Sequence, residues 1–125
     1  KEKLMPKGIF CQWLPYYMLR NKDMAMMLKT FSAVFKHVYL WRVGDRLDFI
    51  MIGSEDPLFF DKDYILQRVK RLNNTGYDLN PQPFLIGPLE VAEEIAKWPD
   101  VQINTDDRPF LEFNVVRNLI VGVKD

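Results

Sequence analysis

The sequence predicts an α/β fold: a strand, a helix and an antiparallel hairpin, followed by an α+β C-terminal extension. Three observations predict it. A short apolar run, "GIFCQWL" (8–14), lies between a Pro/Gly turn and Pro15. Apolar residues then recur at helical spacing through 21–35. Two alternating stretches rich in β-formers, 37–43 and 46–54, are separated by Gly44 and Asp45. Length and hydrophobic period are what separate strands from helices in such a reading.

The first run has the length and aromatic content of a buried strand, and Pro15 stops it. "NKDMAMMLKTFSAVF" follows as a helix, with Asn21 or Asp23 as its cap. Met24, Met27, Leu28, Phe31, Val34 and Phe35 make one apolar stripe along it. Four of the six methionines lie in or beside this helix, where core packing is the expected use. "HVYLWRV" and "RLDFIMIGS" then form the hairpin, with its turn at Gly44-Asp45.

Beyond residue 54 a loop leads to Asp61, which caps a second helix. Its apolar face is Tyr64, Ile65, Val69 and Leu72, and Asn73, Asn74 and Gly76 end it. "YDLNPQPFLIGP" carries three prolines and is mostly irregular. Pro88 opens a short helix through "LEVAEEIAKW", stopped by Pro99. Residues 109–116 alternate as a terminal strand. Residues 1–54 thus form the strand–helix–hairpin unit, and 55–125 a helical extension with a terminal strand packed into the same domain.

Composition excludes several function classes. Seventeen basic residues balance seventeen acidic ones, so no overall field draws in a phosphate backbone and nucleic acid is not expected as a partner. Arg68, Lys70 and Arg71 read as the solvated face of a helix. The single cysteine, Cys11, cannot form an internal disulfide; it reads as a buried, inert thiol in a reducing compartment. No apolar run approaches the ~18 residues of a membrane span. A cytoplasmic location is expected. One histidine and no cysteine pair offer no zinc spacing, the aspartates do not follow a calcium loop, and no nucleophile elbow is present.

"INTDDRPFLEF" (103–113) is the densest polar motif. Asp106 and Asp107 are adjacent, so in an extended chain their side chains point to opposite faces and make a poor shared-proton dyad. Two readings stand. The stretch is a structural corner, with Asn104 and Thr105 as turn and capping residues. Alternatively, Asp106 or Asp107 supplies negative potential at a binding mouth.

"LMPKGIFCQWLP", the helix after it, "VYLW", "DFIMIGS" and "NTDDRPFLEF" together resemble the C-terminal portion of the spermidine synthase-like family. These are aminopropyltransferase-type proteins on the Rossmann-like methyltransferase fold. The resemblance is closest to a bacterial and archaeal branch often fused to membrane or repeat segments, so a longer parent could be membrane-attached. It implies that a Pro-Gly-Gly-like turn, here Pro6-Lys7-Gly8, leads into the fifth strand of that fold. A helix and a terminal antiparallel strand pair then close the sheet. The donor-binding parts of the family lie upstream: a glycine-rich loop, an acidic residue after the second strand and a catalytic aspartate after the fourth. This chain has no G-x-G-x-x-G-like segment. It therefore reads as an acceptor-side portion, without a catalytic residue or resident cofactor of its own.

The resemblance implies decarboxylated S-adenosylmethionine or S-adenosylmethionine as the donor of a full-length parent, and a small amine or polyamine as acceptor. It places Gln12 just after the fifth strand, close to the acceptor. The polyamine synthases continue with Gly-Glu; here Trp13-Leu14 follows. Trp13 with Tyr16 and Tyr17 could wall an acceptor pocket, and Tyr39 and Trp41 fall where the family sets acceptor-facing aromatics. Each has a plainer reading: Gln12 as an amide satisfying backbone groups, the rings as core and rim packing. Asp106 and Asp107 complete the candidate acceptor-binding set. The alternative to a transferase portion is a non-catalytic binding or dimerisation module, a homo-oligomer formed through an open sheet edge.

Overall fold

The computed structural model describes residues 4–43, 48–83 and 87–105. Among them the chain is a mixed α/β structure with a four-stranded antiparallel sheet and three helices. In chain order these are β1 (Ile9–Pro15), α1 (Asn21–Val34), β2 (His37–Val43), β3 (Asp48–Ser54), α2 (Lys62–Asn74), β4 (Leu89–Glu90) and α3 (Ala92–Ala96). A single 3-10 turn, Tyr16–Met18, joins β1 toward α1.

The sheet order is β1-β3-β2-β4, and every neighbouring pair is antiparallel. Because β1 and β2 both oppose β3, they run parallel to each other. A parallel pair needs a long crossover, and α1 supplies it. The hairpin strands β2 and β3 pair from His37↔Ser54 to Val43↔Asp48.

Side chains alternate between the two faces of each strand. On one face Leu14, Met51 and Val38 are buried together with Leu28, Phe31 and Phe35 from α1 and its end. Burying each such side chain contributes roughly 1.5–3 kcal/mol. Ile95 of α3, fully buried, joins the same cluster, so the C-terminal extension shares the core of the first unit. Lys29 Nζ adds a hydrogen bond to the Ile95 carbonyl at 3.3 Å.

On the other face Tyr39, Ile52 and Ser54 are buried. The Tyr39 hydroxyl accepts from Leu58 N at 2.9 Å, and the Phe60 ring meets the Tyr39 ring edge-on at 5.3 Å. Trp41 Nε1 donates to the Pro83 carbonyl at 2.8 Å. These contacts lay the segment after β3 over the β2 side of this face.

Several elements differ from expectation. β1 is not a buried strand: Ile9 through Trp13 are exposed, and only Leu14 is fully buried. The reason is its place at the sheet edge, with β3 as its one partner among the described strands. Cys11 is accordingly exposed rather than buried. Partial desolvation nonetheless raises its pKa, which keeps it in the unreactive thiol form at neutral pH. The cap of α1 is Arg20, not Asn21 or Asp23. Its backbone N–H and Nε donate to Asp23 Oδ2 at 3.3 and 3.1 Å. Met26 is buried on α1, whereas Val34 is exposed. The helix expected over 89–98 shortens to α3, because Leu89 and Glu90 pair with β2 as β4. The Val91 N–H continues that edge by donating to the Val38 carbonyl at 2.8 Å.

Other expectations hold. Asp61 caps α2, accepting from Tyr64 N at 3.0 Å, and Gly76 follows the helix at φ 102°. The Gly44-Asp45 turn and the strand at 109–116 lie outside the described residues. No helix among the described residues is long and apolar enough to cross a membrane.

Candidate functional site

The strand register decides which candidate side chains meet. Trp13 on β1 and Trp41 on β2 both pair with Ile50 of β3. Directly paired residues of an antiparallel sheet share a face, so Trp13, Ile50 and Trp41 lie abreast. One row along, Cys11, Ile52 and Tyr39 form a second line. In the opposite direction Asp48 of β3 lies opposite Pro15. Trp13, Trp41, Tyr39 and Asp48 therefore share one face of the sheet.

The exposure of this face is graded. Tyr39 is buried under the segment after β3 and engaged with Leu58 and Phe60. Its ring and hydroxyl anchor that segment. Trp41 is half-buried, with its indole N–H bonded to Pro83. Trp13 is 51% exposed. The uncovered part of the face thus lies over β1 and the adjoining part of β3.

Gln12 does not join this group. It pairs with Met51, which is buried beneath α1, so its side chain belongs to the opposite face. Its Nε2 donates to the Trp13 carbonyl at 3.1 Å in an exposed setting. That is the amide-to-backbone role open to it from the sequence. Asp106 and Asp107 lie outside the described residues. The lead-in to them is tied down, since Asn104 N donates to Thr30 Oγ1 of α1 at 2.8 Å.

Asp48 was not among the residues singled out from the sequence. Its Oδ1 is buried and accepts no hydrogen bond. Most buried polar atoms find a partner, so such an atom calls for an explanation. Arg20, just beyond the end of β1, has a buried Nη2 in the same condition, although its Nε is held by Asp23. The sequence did carry a weak signal: Asp48 is the one charged residue in the run 48–54 of β3, on the face of Ile50 and Ile52.

At the other end of the sheet a half-open cleft of about 440 Å³ is lined by Lys7, Gly8, Ser54, Asp56, Pro57 and Leu58. His37 Nδ1 and Glu90 Oε1 lie 2.7 Å apart at the same end, joining β2 to β4. Among the described residues no cluster of three or more His, Cys, Asp or Glu side chains is placed to hold a metal ion.

No family model, curated protein or solved structure matches the chain.

Proposed function

We propose that the chain is the acceptor-side, C-terminal portion of a spermidine synthase-like transferase using an S-adenosylmethionine-type donor, inactive alone. The observation that carries this reading is the order strand, crossover helix and antiparallel pair, with β1 at the outer edge of the sheet among the described residues. That order is what the resemblance implies for the closing part of the sheet. The exposed edge of β1 suits continuation by further strands.

In this reading the donor, decarboxylated S-adenosylmethionine or S-adenosylmethionine, binds segments outside the 125 residues. A small amine or polyamine binds on this side. The neutral amine attacks the carbon beside the sulfonium; a C–N bond forms, the C–S bond breaks and a thioether leaves. At neutral pH the acceptor amine is an ammonium, so a carboxylate base first takes its proton and frees the lone pair; the ammonium formed by the transfer carries the charge the sulfonium loses. The test is to incubate the full-length parent with decarboxylated S-adenosylmethionine and diamines, and to seek the aminopropylated product by mass spectrometry. Product formation is expected. The 125-residue chain alone is expected to show no donor binding by calorimetry. Absence of donor binding by the parent, or micromolar donor binding by the isolated chain, overturns the reading.

A second reading is favoured by the exposure of β1: a non-catalytic module in which two copies pair along that edge. Edge strands with unpaired backbone groups and apolar side chains are templates for such pairing. It predicts a dimer by light scattering that Cys11→Lys converts to a monomer. A chain that stays monomeric at its highest soluble concentration excludes it.

A further inference from the structure

We infer that α2 lies on an anionic membrane surface, with Tyr64, Arg68, Arg71 and Leu72 as its contacting stripe. The inference does not depend on the transferase reading.

The first observation is how α2 is seated. It runs for 13 residues, and Val69 is its one buried residue. Isolated helices of that length are marginal in water, and most helical stability in proteins comes from packing an apolar face. α2 therefore has little packing against its own chain and much surface left to cover. At about 100° per residue, Tyr64 and Arg71 fall on the far side of the helix from Val69. The steps from Tyr64 to Arg68, and from Arg68 to Arg71 and Leu72, are of helical length, so these side chains make one stripe. All are exposed, Tyr64 at 59% and Leu72 at 42%. Phe59, 91% exposed, stands just ahead of the Asp61 cap, and the exposed Tyr77 follows Gly76. Large apolar side chains thus punctuate the helix from end to end.

Charge decides what covers the stripe. α2 carries Lys62, Arg68, Lys70 and Arg71 against a single acidic residue, Asp63. The whole chain is neutral, so this excess is local. Among the described residues no carboxylate pairs with Arg68, Lys70 or Arg71. An anionic surface is the complement. Rings and a leucine seat at the headgroup boundary while Arg and Lys side chains reach the phosphates, as in an interfacial helix. Tyr64 and Leu72 are about 12 Å apart along the axis. Anchors set in a row suit a flat surface better than a pocket. A nucleic acid would stack on the rings, but it has no use for Leu72, and a neutral chain lacks the wider basic field that such binding draws on.

The test sediments the 125-residue chain with vesicles of phosphatidylglycerol and phosphatidylcholine in equal parts, against phosphatidylcholine alone. Saturable binding to the anionic vesicles and little to the neutral ones is expected, and about 0.5 M salt should remove most of it. Each basic side chain near such a surface contributes about fivefold to partition, so Arg68→Gln with Arg71→Gln should weaken binding about tenfold or more. Tyr64→Ala should weaken it several-fold. Lys22→Gln with Lys36→Gln removes the same charge from exposed positions outside α2 and should leave binding near its original level. Circular dichroism establishes that each variant is folded. The vesicle and salt comparisons use the unaltered chain, so they decide even where a variant fails to fold. No binding to anionic vesicles, equal binding to neutral ones, or equal loss in the two double variants overturns the inference. Binding to single-stranded RNA without binding to vesicles overturns it in favour of a nucleic-acid face. Displacement from vesicles by millimolar glycerol phosphate would reveal a headgroup pocket in place of a surface contact, and overturns it as well.

Discussion

Gly53 is where sheet and helix come closest. A Cβ at this position would lie 2.4 Å from Cδ2 of Phe35 and 2.7 Å from Cε1 of Phe31. The two rings, with centroids 4.8 Å apart, therefore rest directly on the β3 backbone. Phe10 of β1 lies against both, at 5.8 and 5.9 Å. Gly53→Ala forces these rings aside and should cost about 1–3 kcal/mol in urea unfolding. Lys7 presents the reverse case. It follows Pro6 at φ 60°, in a turn closed by Gly8 N donating to the Met5 carbonyl at 2.8 Å. A side chain is strained in that region. Lys7→Gly should raise stability by about 0.5 kcal/mol, the relief of strain exceeding the added freedom of the unfolded chain. Equal or lower stability of that variant would show that the turn is not strained. The opposite facing of Gln12 and Trp13 was legible in the sequence, because adjacent strand residues always diverge. That Trp13 and Trp41 come abreast was not, because it depends on both pairing with Ile50.

At the scale of elements, local chemistry was readable wherever it is self-contained. The α2 cap is an example: Asp61 bonds Tyr64 N within one turn, with no help from elsewhere. Asp61→Ala should lower stability by about 1 kcal/mol and lengthen fraying at that helix start, seen as faster amide exchange at Tyr64. Unchanged stability would mean α2 is held by packing alone, though Val69 is its one buried residue. The region 89–98 shows the limit of local reading. Its apolar spacing and Pro88 suit a helix, but the free edge of β2 captures Leu89 and Glu90 first. Glu90 is then placed beside His37, and Ile95 still reaches the core through a single short helix. Asp48 shows a related limit: that its Oδ1 is buried without a hydrogen-bond partner depends on packing that an aspartate opening a strand does not announce.

For the whole molecule, strand order sets the gradient of stability. β3 is hydrogen-bonded on both sides, by β1 and by β2, whereas β1 has one partner among the described strands. Amide exchange should therefore be slowest in β3, from Ile50 to Gly53, and fastest among the strands in β1, from Ile9 to Trp13. Slow exchange throughout β1 would reveal a further partner along its outer edge. The strand–helix–hairpin order was legible because periods of 2.0 and 3.6 residues are properties of the local chain. The insertion of β3 between β1 and β2, and with it the exposure of β1, is a property of pairing at a distance.

The uneven seating of β1 has a mechanical consequence. Leu14, fully buried, pins one end, while the five residues before it lie exposed. Tension applied at the Ile9 end loads the β1–β3 hydrogen bonds one pair after another, as in opening a zipper, instead of shearing them together. The first rungs should release at low force and the last at Leu14, where the strand is nailed into the core. Under such a load the β1–β3 pairing is expected to open before the β2–β3 hairpin.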